Sequence, residues 1–487
     1  MASPKMTSDE DALLMDLTNG IVGWEDHQDP ANPRNYAQSR KWFLLALVSI
    51  VTLISPFASS VFAPAAPYAA TEFHETSAIL TTLMCTSYLF GYTVGPLFLS
   101  PLSELYGRQI VLSSATTFFV MFQIGCALAP NTTSLIVFRA LTGTGGSACL
   151  TTGAGVVADL FAPHERGLAM SIFGFGPLLG PVLGPICGGF IAQGAGWRWV
   201  FWVLAISSGA LTTFVIIFNR ETNPVILIER KTAKFRVELG KPDLQSCYER
   251  NQTNNQASKT SVFVHRLTTP LRLLFHSSIV SIIAIYIALA YGCLYLLFTT
   301  VTDVFQNTYH WGVGISGLAY IGLGLGFLVG QVVFGLISDK ITIRMTKQNN
   351  GVFEPEMRLP LAIFYALFIP ISFFWYGWSA EAATHWIVPI VGLFPFGFGT
   401  IGIFATLQTY VVDSYTLYAA SGIAAITVTR SLFGALLPLA GPYMYDALGY
   451  GWGNSLLGFL TLAMLPMPFV FRRYGRTLRE RSLQHFK

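Results

Sequence analysis

Charged side chains inside the apolar stretches of the chain are the first candidates for chemistry. Arg430 lies about 13 residues into a predicted helix, roughly 20 Å from its start and so near the middle of a bilayer. A charge at that depth costs about 2.5–3.5 kcal/mol on insertion scales and is a functional candidate by default. We expect Arg430 to face a cavity or the protein interior, where it could contact a substrate.

Arg139 and Asp303 lie nearer to the ends of their predicted helices. Arg139 either points into the protein or extends to the nearby surface, because a long side chain can place its charged end in water. Asp303 stands beside Thr300 and Thr302 and is our preferred proton carrier; the alternative is an ordinary loop charge. No acid falls near the middle of a predicted span, which argues against polyamine cations as substrates.

The side chains that catalysis or metal binding would need do not form suitable groups. There is no nucleophile beside a base, no His cluster and no CxxC pair. Glycine runs at 143–148 and 322–326 have the spacing of a nucleotide-binding loop, but they follow no strand and lie in apolar stretches. We therefore predict a protein that is not an enzyme, with no catalytic residues, no metal site and no cofactor.

Aromatic residues make up 14% of the chain and could line a cavity for a flat, apolar compound. Each could instead face lipid or pack against a neighbouring helix. The candidates for the cavity, beside Arg430, are Phe173, Tyr291, Tyr295, Tyr320 and Tyr410.

The elements that position these residues are membrane helices. The chain is 53% hydrophobic and 11% charged, whereas soluble proteins have about 25% charged residues. A spanning helix needs about 20 apolar residues. We predict an all-α membrane protein with twelve spans, at 43–65, 78–99, 110–129, 135–157, 168–191, 200–218, 279–301, 313–337, 360–378, 386–411, 417–441 and 453–471.

The basic residues predict the orientation. With twelve spans, 26 of the 29 lysines and arginines fall on the side of the N-terminus, and Arg198 alone falls on the other. Because basic loops stay inside, we expect both termini to be cytoplasmic. The predicted domains are an N-terminal segment (1–42), a six-helix bundle (43–218), a central loop (219–278) that includes a flexible linker at 251–260, a second bundle (279–471) and a tail (472–487).

The two bundles also look like repeats of each other. GYTVGPLFLSPLSE at 91–104 matches GFLVGQVVFGLISD at 326–339, and Gly184-Pro185 matches Gly441-Pro442. Repeated halves with a binding site between them are the plan of many secondary transporters. We therefore predict two pseudo-symmetric six-helix bundles.

The loop after span 2, SPLSELYGRQ at 100–109, resembles a motif of the major facilitator superfamily. Glu104, Gly107 and Arg108 match in kind, and Asp159 at the end of span 4 is the expected partner of Arg108. The resemblance implies that this cluster latches the outward-facing state. The alternative is a solvated loop whose charges contribute little.

Other stretches resemble the fungal drug:proton antiporter branch with twelve spans. RALTGTGGSA at 139–148 is similar to the motif whose arginine that family associates with proton coupling, which makes Arg139 a coupling candidate beside Asp303. DLFAPHERG at 159–167, RETNPVILIERK at 220–231 and YGWGNSLLG at 450–458 also look like this branch.

Span 5 contains GPLLGPVLGPICGG at 176–189, with glycines and prolines each repeating every four residues. That spacing makes one narrow glycine groove on the helix, suited to close approach by another helix. Gly180, Gly184, Pro185, Gly188 and Gly189 match the antiporter motif of the superfamily. We expect a close-packed seam, against span 8, and expect neighbouring helices to satisfy the carbonyls that the prolines leave free.

These features together predict a secondary transporter that exports small apolar organic compounds by proton antiport. A proton-coupled nutrient importer and a polyamine exporter are the alternatives. The expected partners are the substrate, protons and the lipid bilayer, with no nucleic acid, for a monomer in the plasma membrane or the vacuolar membrane. Asn131 begins an N-x-Thr sequon in a loop on the outer side and is the glycosylation candidate.

Overall fold

The protein is described by a computed structural model that covers residues 13–162, 165–248, 259–415 and 419–484. Its first bundle has six spans, as predicted. Span 1 is Gln38–Ser60 and, after a turn, Ala66–Glu72; span 2 is Ala78–Tyr106; span 3 is Arg108–Ala127; span 4 is Thr132–Leu160; span 5 is Arg166–Ala195; span 6 is Trp197–Phe218.

The second bundle repeats this arrangement with more interruptions. Span 7 is Ser278–Tyr309; span 8 is Val313–Ser316, the 3-10 turn Gly317–Tyr320 and Ile321–Gln348; span 9 is Leu359–Ala366 and Phe368–Glu381; span 10 is Ile387–Gly392 and Phe394–Ser414. Span 11 is Ala419–Leu436 and the start of Gly441–Met464, and span 12 is the remainder with Pro466–Gln484. Gly449, at φ 72°, separates spans 11 and 12 within Gly441–Met464.

Ten helical segments of the described chain are long and apolar enough to cross a membrane. Spans 11 and 12 form one of these segments because the helix continues through Gly449. Span 4 is not among the ten, since it carries Arg139, Asp159 and five glycines. Counting span 4 and separating spans 11 and 12 gives the twelve spans.

Glycines at equivalent positions allow the same close packing of two helices inside each bundle. A Cβ on Gly95 of span 2 would lie 2.8 Å from the carbonyl oxygen of Thr144 in span 4, and one on Gly330 of span 8 would lie 2.9 Å from that of Phe398 in span 10. Real Cβ atoms do not approach so closely, so both pairs of helices require glycine. Gly95 and Gly330 are matched in the repeat, which accounts for their similarity.

The two ends of the described chain lie on one face of the molecule, which we call the basic face because the segments predicted on that side hold 26 of the 29 lysines and arginines. The bundles contact each other mainly through spans 2 and 11 and through spans 5 and 8. Ser59 of span 1 is hydrogen-bonded to Tyr295 of span 7 at 2.7 Å, and Gln193 of span 5 accepts from the Gly314 amide of span 8 at 2.9 Å.

The central segment is more ordered than expected. It contains helices Pro224–Glu238 and Lys259–His276, and its strand Gln245–Ser246 pairs in parallel with Ile21–Val22 of the N-terminal segment. Ile228 and Cys247 form a small core with Trp24. The predicted central loop therefore contains helices and a paired strand outside its linker, because apolar residues on the central and N-terminal segments bury one another. The stretch 251–258 of the predicted flexible linker lies outside the described residues.

Candidate transport pathway and gates

Arg108 is the centre of a polar cluster at the basic end of the first bundle. Its Nε lies 3.3 Å from a carboxylate oxygen of Asp159, and its Nη1 donates to the Ser103 hydroxyl at 2.7 Å. The Thr222 hydroxyl donates to the same Asp159 oxygen at 3.3 Å. Both charged side chains are only 13–14% exposed, so the alternative of a solvated loop with weak charges does not describe this cluster.

Glu221 is a part of this cluster that the sequence analysis did not select. Its buried carboxylate accepts from the amides of Arg108 and Gln109, at 2.8 and 3.3 Å, and so caps the first turn of span 3. Gly107, at φ 108°, places those amides, and a Cβ on it would collide with the Glu221 carboxylate. Glu104 is half-buried beside them, and its carbonyl accepts from Asn223 at 3.3 Å.

The second bundle carries an equivalent cluster. Nε of Arg358 lies 2.5 Å from Asp413 at the end of span 10, and its Nη1 lies 3.4 Å from the Ser338 hydroxyl and 3.9 Å from Asp339. Ser338 is the repeat partner of Ser103. Arg358 directly precedes span 9, as Arg108 stands at the start of span 3, but the two differ by 250 in number rather than by the 235 of the repeat, because the loop before Arg358 is longer. An alignment of the halves by residue number alone therefore misses it.

The glycine groove of span 5 packs against span 1, and the expectation that it faces span 8 is wrong. A Cβ on Gly180 would lie 2.7 Å from the Leu53 carbonyl oxygen, and one on Gly184 would lie 2.9 Å from that of Phe57. Gly176 and Gly188 meet span 1 in the same manner. These four glycines, which we call the glycine groove, thus hold the first bundle together internally.

Span 8 is contacted by the neighbouring edge of span 5. A Cβ on Gly189 would lie 2.7 Å from the Val313 carbonyl oxygen, and one on Gly317 would lie 2.7 Å from that of Pro185. These backbone-to-backbone approaches, which we call the bundle seam, lie toward the opposite face. The antiporter-like stretch therefore has two contact surfaces. Its residues Gly180, Gly184 and Gly188 pack against span 1 within the first bundle, whereas Pro185 and Gly189 pack against span 8 at the bundle seam.

Arg139 is 1% exposed, so it does not extend to the surface. One terminal nitrogen donates to the carbonyls of Ser59 and Cys85, at 3.0 and 2.9 Å. Its guanidinium carbon lies 5.2–5.7 Å from the ring centres of Phe62, Tyr88 and Phe201. The described chain gives it no acidic partner, and its two carbonyl contacts tie span 4 to spans 1 and 2.

Arg430 lies beside two of the predicted cavity aromatics. Its guanidinium carbon is 5.1 Å from the ring centre of Tyr291, which in turn packs against Tyr295 at 5.0 Å and Phe404 at 6.0 Å. Arg430 and Tyr291 are both partly accessible. This group, Arg430 with Tyr291, Tyr295 and Phe404, lies where spans 7, 10 and 11 face the first bundle, and we call it the arginine site.

The remaining aromatic candidates are not brought to the arginine site. Phe173 packs among spans 1, 4 and 5 inside the first bundle. Tyr320 is buried in the second bundle, where its hydroxyl donates to the Phe298 carbonyl at 2.9 Å. Tyr410 stacks on Phe471 of the C-terminal helix at 6.4 Å, near the basic face.

Two further candidates lie toward the opposite face. Asp303 is an exposed residue in the second half of span 7, about two turns before Tyr309. Asn131 is exposed and caps span 4, since its side-chain oxygen accepts from the Ser134 amide at 2.9 Å. On the same face, Arg198 pairs with Glu72 and also donates to the Ala129 carbonyl at 3.1 Å.

Comparison with known proteins assigns this arrangement to a class of membrane transporter. Residues 48–438 match the family model described as Major Facilitator Superfamily. The chain belongs to this superfamily, as its sequence motifs predicted, and it is a multi-pass membrane transporter.

Individual relatives cover nearly the whole chain. The MFS transporter cpaT of Aspergillus oryzae is 47% identical over 95% of this chain and 92% of its own length. The MFS-type transporter penM of Penicillium rubens is 44% identical, with 98% and 94% covered. The efflux pump radE of Floropilus chiversii is 42% identical, with 94% and 85% covered.

Solved structures agree with the fold. A partially occluded, inward-open structure of the xylose transporter XylE from E. coli has a TM-score of 0.65 and covers 90% of this chain and 98% of its own. At 17% identity this likeness concerns the fold alone.

Proposed function

We propose that the protein exports small, largely apolar organic compounds by alternating access and proton antiport. One related protein of 42% identity is named an efflux pump, and the fold is that of a transporter. The observation that supports this most directly is the bundle seam. Because the bundles join at Gly189 and Pro185, toward the opposite face, a substrate would reach the arginine site from the basic face.

The basic face is the cytoplasmic one in this proposal, with both termini inside. The distribution of 26 of 29 basic residues supports this orientation, since basic loops are retained in the cytoplasm. The protein would be a monomer in the plasma membrane, or alternatively in the vacuolar membrane. Asn131 would then face outward, where it could be glycosylated.

The clusters of Arg108 and Arg358 would act as gates at the cytoplasmic face. Each is held within its own bundle, through Asp159 and Asp413 respectively. When the bundles close on that side, the two clusters would approach each other, while the seam opens. Such rigid-body rocking needs bundles that are internally stiff. The close packing of the glycine groove against span 1 supports this stiffness in the first bundle.

Proton coupling would use Asp303 as the carrier and Arg139 as a fixed charge. A carboxylate can take up and release a proton at the exposed end of span 7, whereas a guanidinium keeps its charge. A positive charge held at Arg139 would favour an ionised acid elsewhere in the pathway. A nutrient importer of the same fold would use the same parts, so only the direction of flux separates the two functions.

The test begins with a deletion strain grown against a panel of toxic organic compounds. Hypersensitivity identifies a substrate, which is then followed in proteoliposomes that contain the purified protein. An imposed pH gradient should drive the substrate against the proton flow, and a protonophore should abolish this. Movement of substrate with protons would establish the importer instead, and Asp303→Asn should uncouple flux from the gradient.

A further inference from the structure

We propose that the arginine site binds an anionic group of the substrate, so that the exported compound is an organic acid with an apolar body. The inference rests on the proposed export and makes its substrate class specific. It follows from the charge, position and unused hydrogen-bond donors of Arg430.

No carboxylate of the described chain neutralises the positive charge of Arg430. The ion pairs of the described residues place Arg108, Arg198 and Arg358 beside carboxylates, but none involves Arg430. Buried Arg139 is compensated instead by two carbonyls. A cation near mid-membrane that has neither kind of compensation carries a large solvation cost, which a bound anion would offset.

The donors of Arg430 are also unused. Its Nε is buried and has no hydrogen-bond partner within the described chain. No described hydrogen bond involves its two terminal nitrogens, and the residue is partly accessible. A guanidinium offers five N–H donors in a planar fork that matches the two oxygens of a carboxylate.

The side chain points toward the space between the bundles rather than into lipid. Leu432 and Leu436 are the exposed apolar residues of span 11 near Arg430, at 37% and 47%. At 100° per residue, Arg430 lies roughly 120–160° around the helix from them. Gly434, on the same side as Arg430, packs against Leu89 of span 2 and Tyr291 of span 7.

The aromatic residues supply a place for the apolar body. The Tyr291 ring holds the guanidinium by a cation–π contact at 5.1 Å, and Phe404 and Tyr295 continue the apolar surface. Tyr295 is itself bonded to Ser59 across the bundle interface at 2.7 Å. Separation of the bundles would break that bond and shift the rings that position Arg430. The site would therefore bind its anion differently in the two states, as transport requires.

The experiment measures binding of three matched fluorescent probes to the full-length protein in nanodiscs: 1-pyrenebutanoate, its methyl ester and 1-pyrenebutylamine. We expect the acid to bind most tightly and the amine most weakly. Arg430→Gln should weaken binding of the acid by roughly tenfold to a hundredfold, which is the worth of a charged hydrogen-bonded pair, and leave the ester unchanged.

Two variants control for folding and for the ring. Arg473 lies over Tyr474 at 5.5 Å, a similar pair on the exposed part of the C-terminal helix, so Arg473→Gln should bind all three probes as the native protein does. Tyr291→Phe should retain acid binding, whereas Tyr291→Leu should weaken it. Equal binding of acid and ester, a preference for the amine, or no binding of the acid would overturn the proposal.

The outcome is separable from that of the export proposal. If substrates move outward but Arg430→Gln does not discriminate acid from ester, export stands and the anion site falls. If the native protein binds the acid selectively but carries nothing outward, the anion site stands and export falls.

Discussion

The hydroxyl of Ser60 in span 1 donates a hydrogen bond of 2.9 Å to the carbonyl of Pro181 in span 5. That carbonyl would normally accept from the amide of residue 185 one turn later, but Pro185 has no N–H to give. Span 5 nevertheless runs unbroken over 30 residues from Arg166 to Ala195. A neighbouring helix therefore satisfies a backbone group that the prolines leave free, as membrane helices require.

Ser60→Ala should destabilise the protein without blocking its pathway. It leaves the Pro181 carbonyl buried and unpaired, at a cost of about 1–3 kcal/mol. We expect a lower melting temperature in detergent. Ser207→Ala is the control, because the exposed Ser207 hydroxyl bonds to its own helix, at 2.7 Å from the Val203 carbonyl. Equal melting temperatures for the two variants would show that water or lipid replaces the Ser60 hydroxyl.

Gly180→Ala should lower stability because the glycine groove has no room for a methyl group. The new Cβ would lie 2.7 Å from the Leu53 carbonyl oxygen and 2.8 Å from the Phe57 amide nitrogen. Overpacking of this kind costs about 1–3 kcal/mol. Gly174→Ala, on the same helix with open space around it, should cause no loss, since alanine is the better helix former. Expression and melting of the two variants measure the difference.

Gly189→Val should shift the conformational balance rather than the stability of the bundle. Its side chain would enter the seam, 2.7 Å from the Val313 carbonyl oxygen, and would keep the bundles apart on the opposite face. Spin labels at Thr71, in the last turn of span 1, and at Ala382, directly after span 9, are both exposed on that face and should report a longer distance. Gly194→Val, with open space around it, is the control. An unchanged distance would argue against the seam as a gate.

Much of the fold follows from sequence because bilayer thickness and loop charge constrain it strongly. The sequence did not predict that the glycine groove packs against span 1, since the spacing of glycines defines a smooth face but not which neighbouring helix fills it. The second arginine cluster was missed because the longer loop before Arg358 shifts it from position 343, where the offset of 235 would place the partner of Arg108. Asp159 and Asp413 differ by 254 in number, as do Gly143 and Gly397, which face spans 2 and 8 respectively. That offset was a usable signal for Asp413.

The arginine site illustrates the same limit. Depth alone identified Arg430, because a mid-membrane charge is expensive wherever it points. Aromatic identity did not separate Tyr291 and Tyr295 from Tyr320 and Tyr410, since a ring packs equally well inside a bundle. What distinguishes them is the face of the helix and its neighbour, which only the packed structure provides.

Glu221→Ala should disrupt the basic-face cluster of the first bundle. The carboxylate accepts from four backbone amides, including its neighbours Thr222 and Asn223 at 3.0 and 2.9 Å. Losing this acceptor leaves the first turn of span 3 uncapped, at about 2 kcal/mol or more. We expect lower stability and slower transport. Glu238→Ala, which removes an exposed pair with Lys234, should be neutral in both assays. Native transport by Glu221→Ala would show that Arg108 and Asp159 suffice.

Arg139→Lys tests whether the buried arginine acts by charge alone or by its shape as well. A guanidinium can donate to two carbonyls from one nitrogen while its plane lies among aromatic rings, as Arg139 does with Ser59 and Cys85. An ammonium keeps the charge but not that geometry. We expect Arg139→Lys to reduce transport at least about tenfold, the effect of losing roughly 1.4 kcal/mol, with the protein still expressed at the cell surface. Arg139→Gln should reduce it further, because the charge is also lost.

Transport at the native rate by Arg139→Lys would mean that the positive charge is sufficient and that the contacts with Ser59 and Cys85 only anchor span 4. Measuring flux at several external pH values in the same cells separates the two roles, since a loss of fixed charge alters the pH dependence while a loss of packing lowers the rate at every pH.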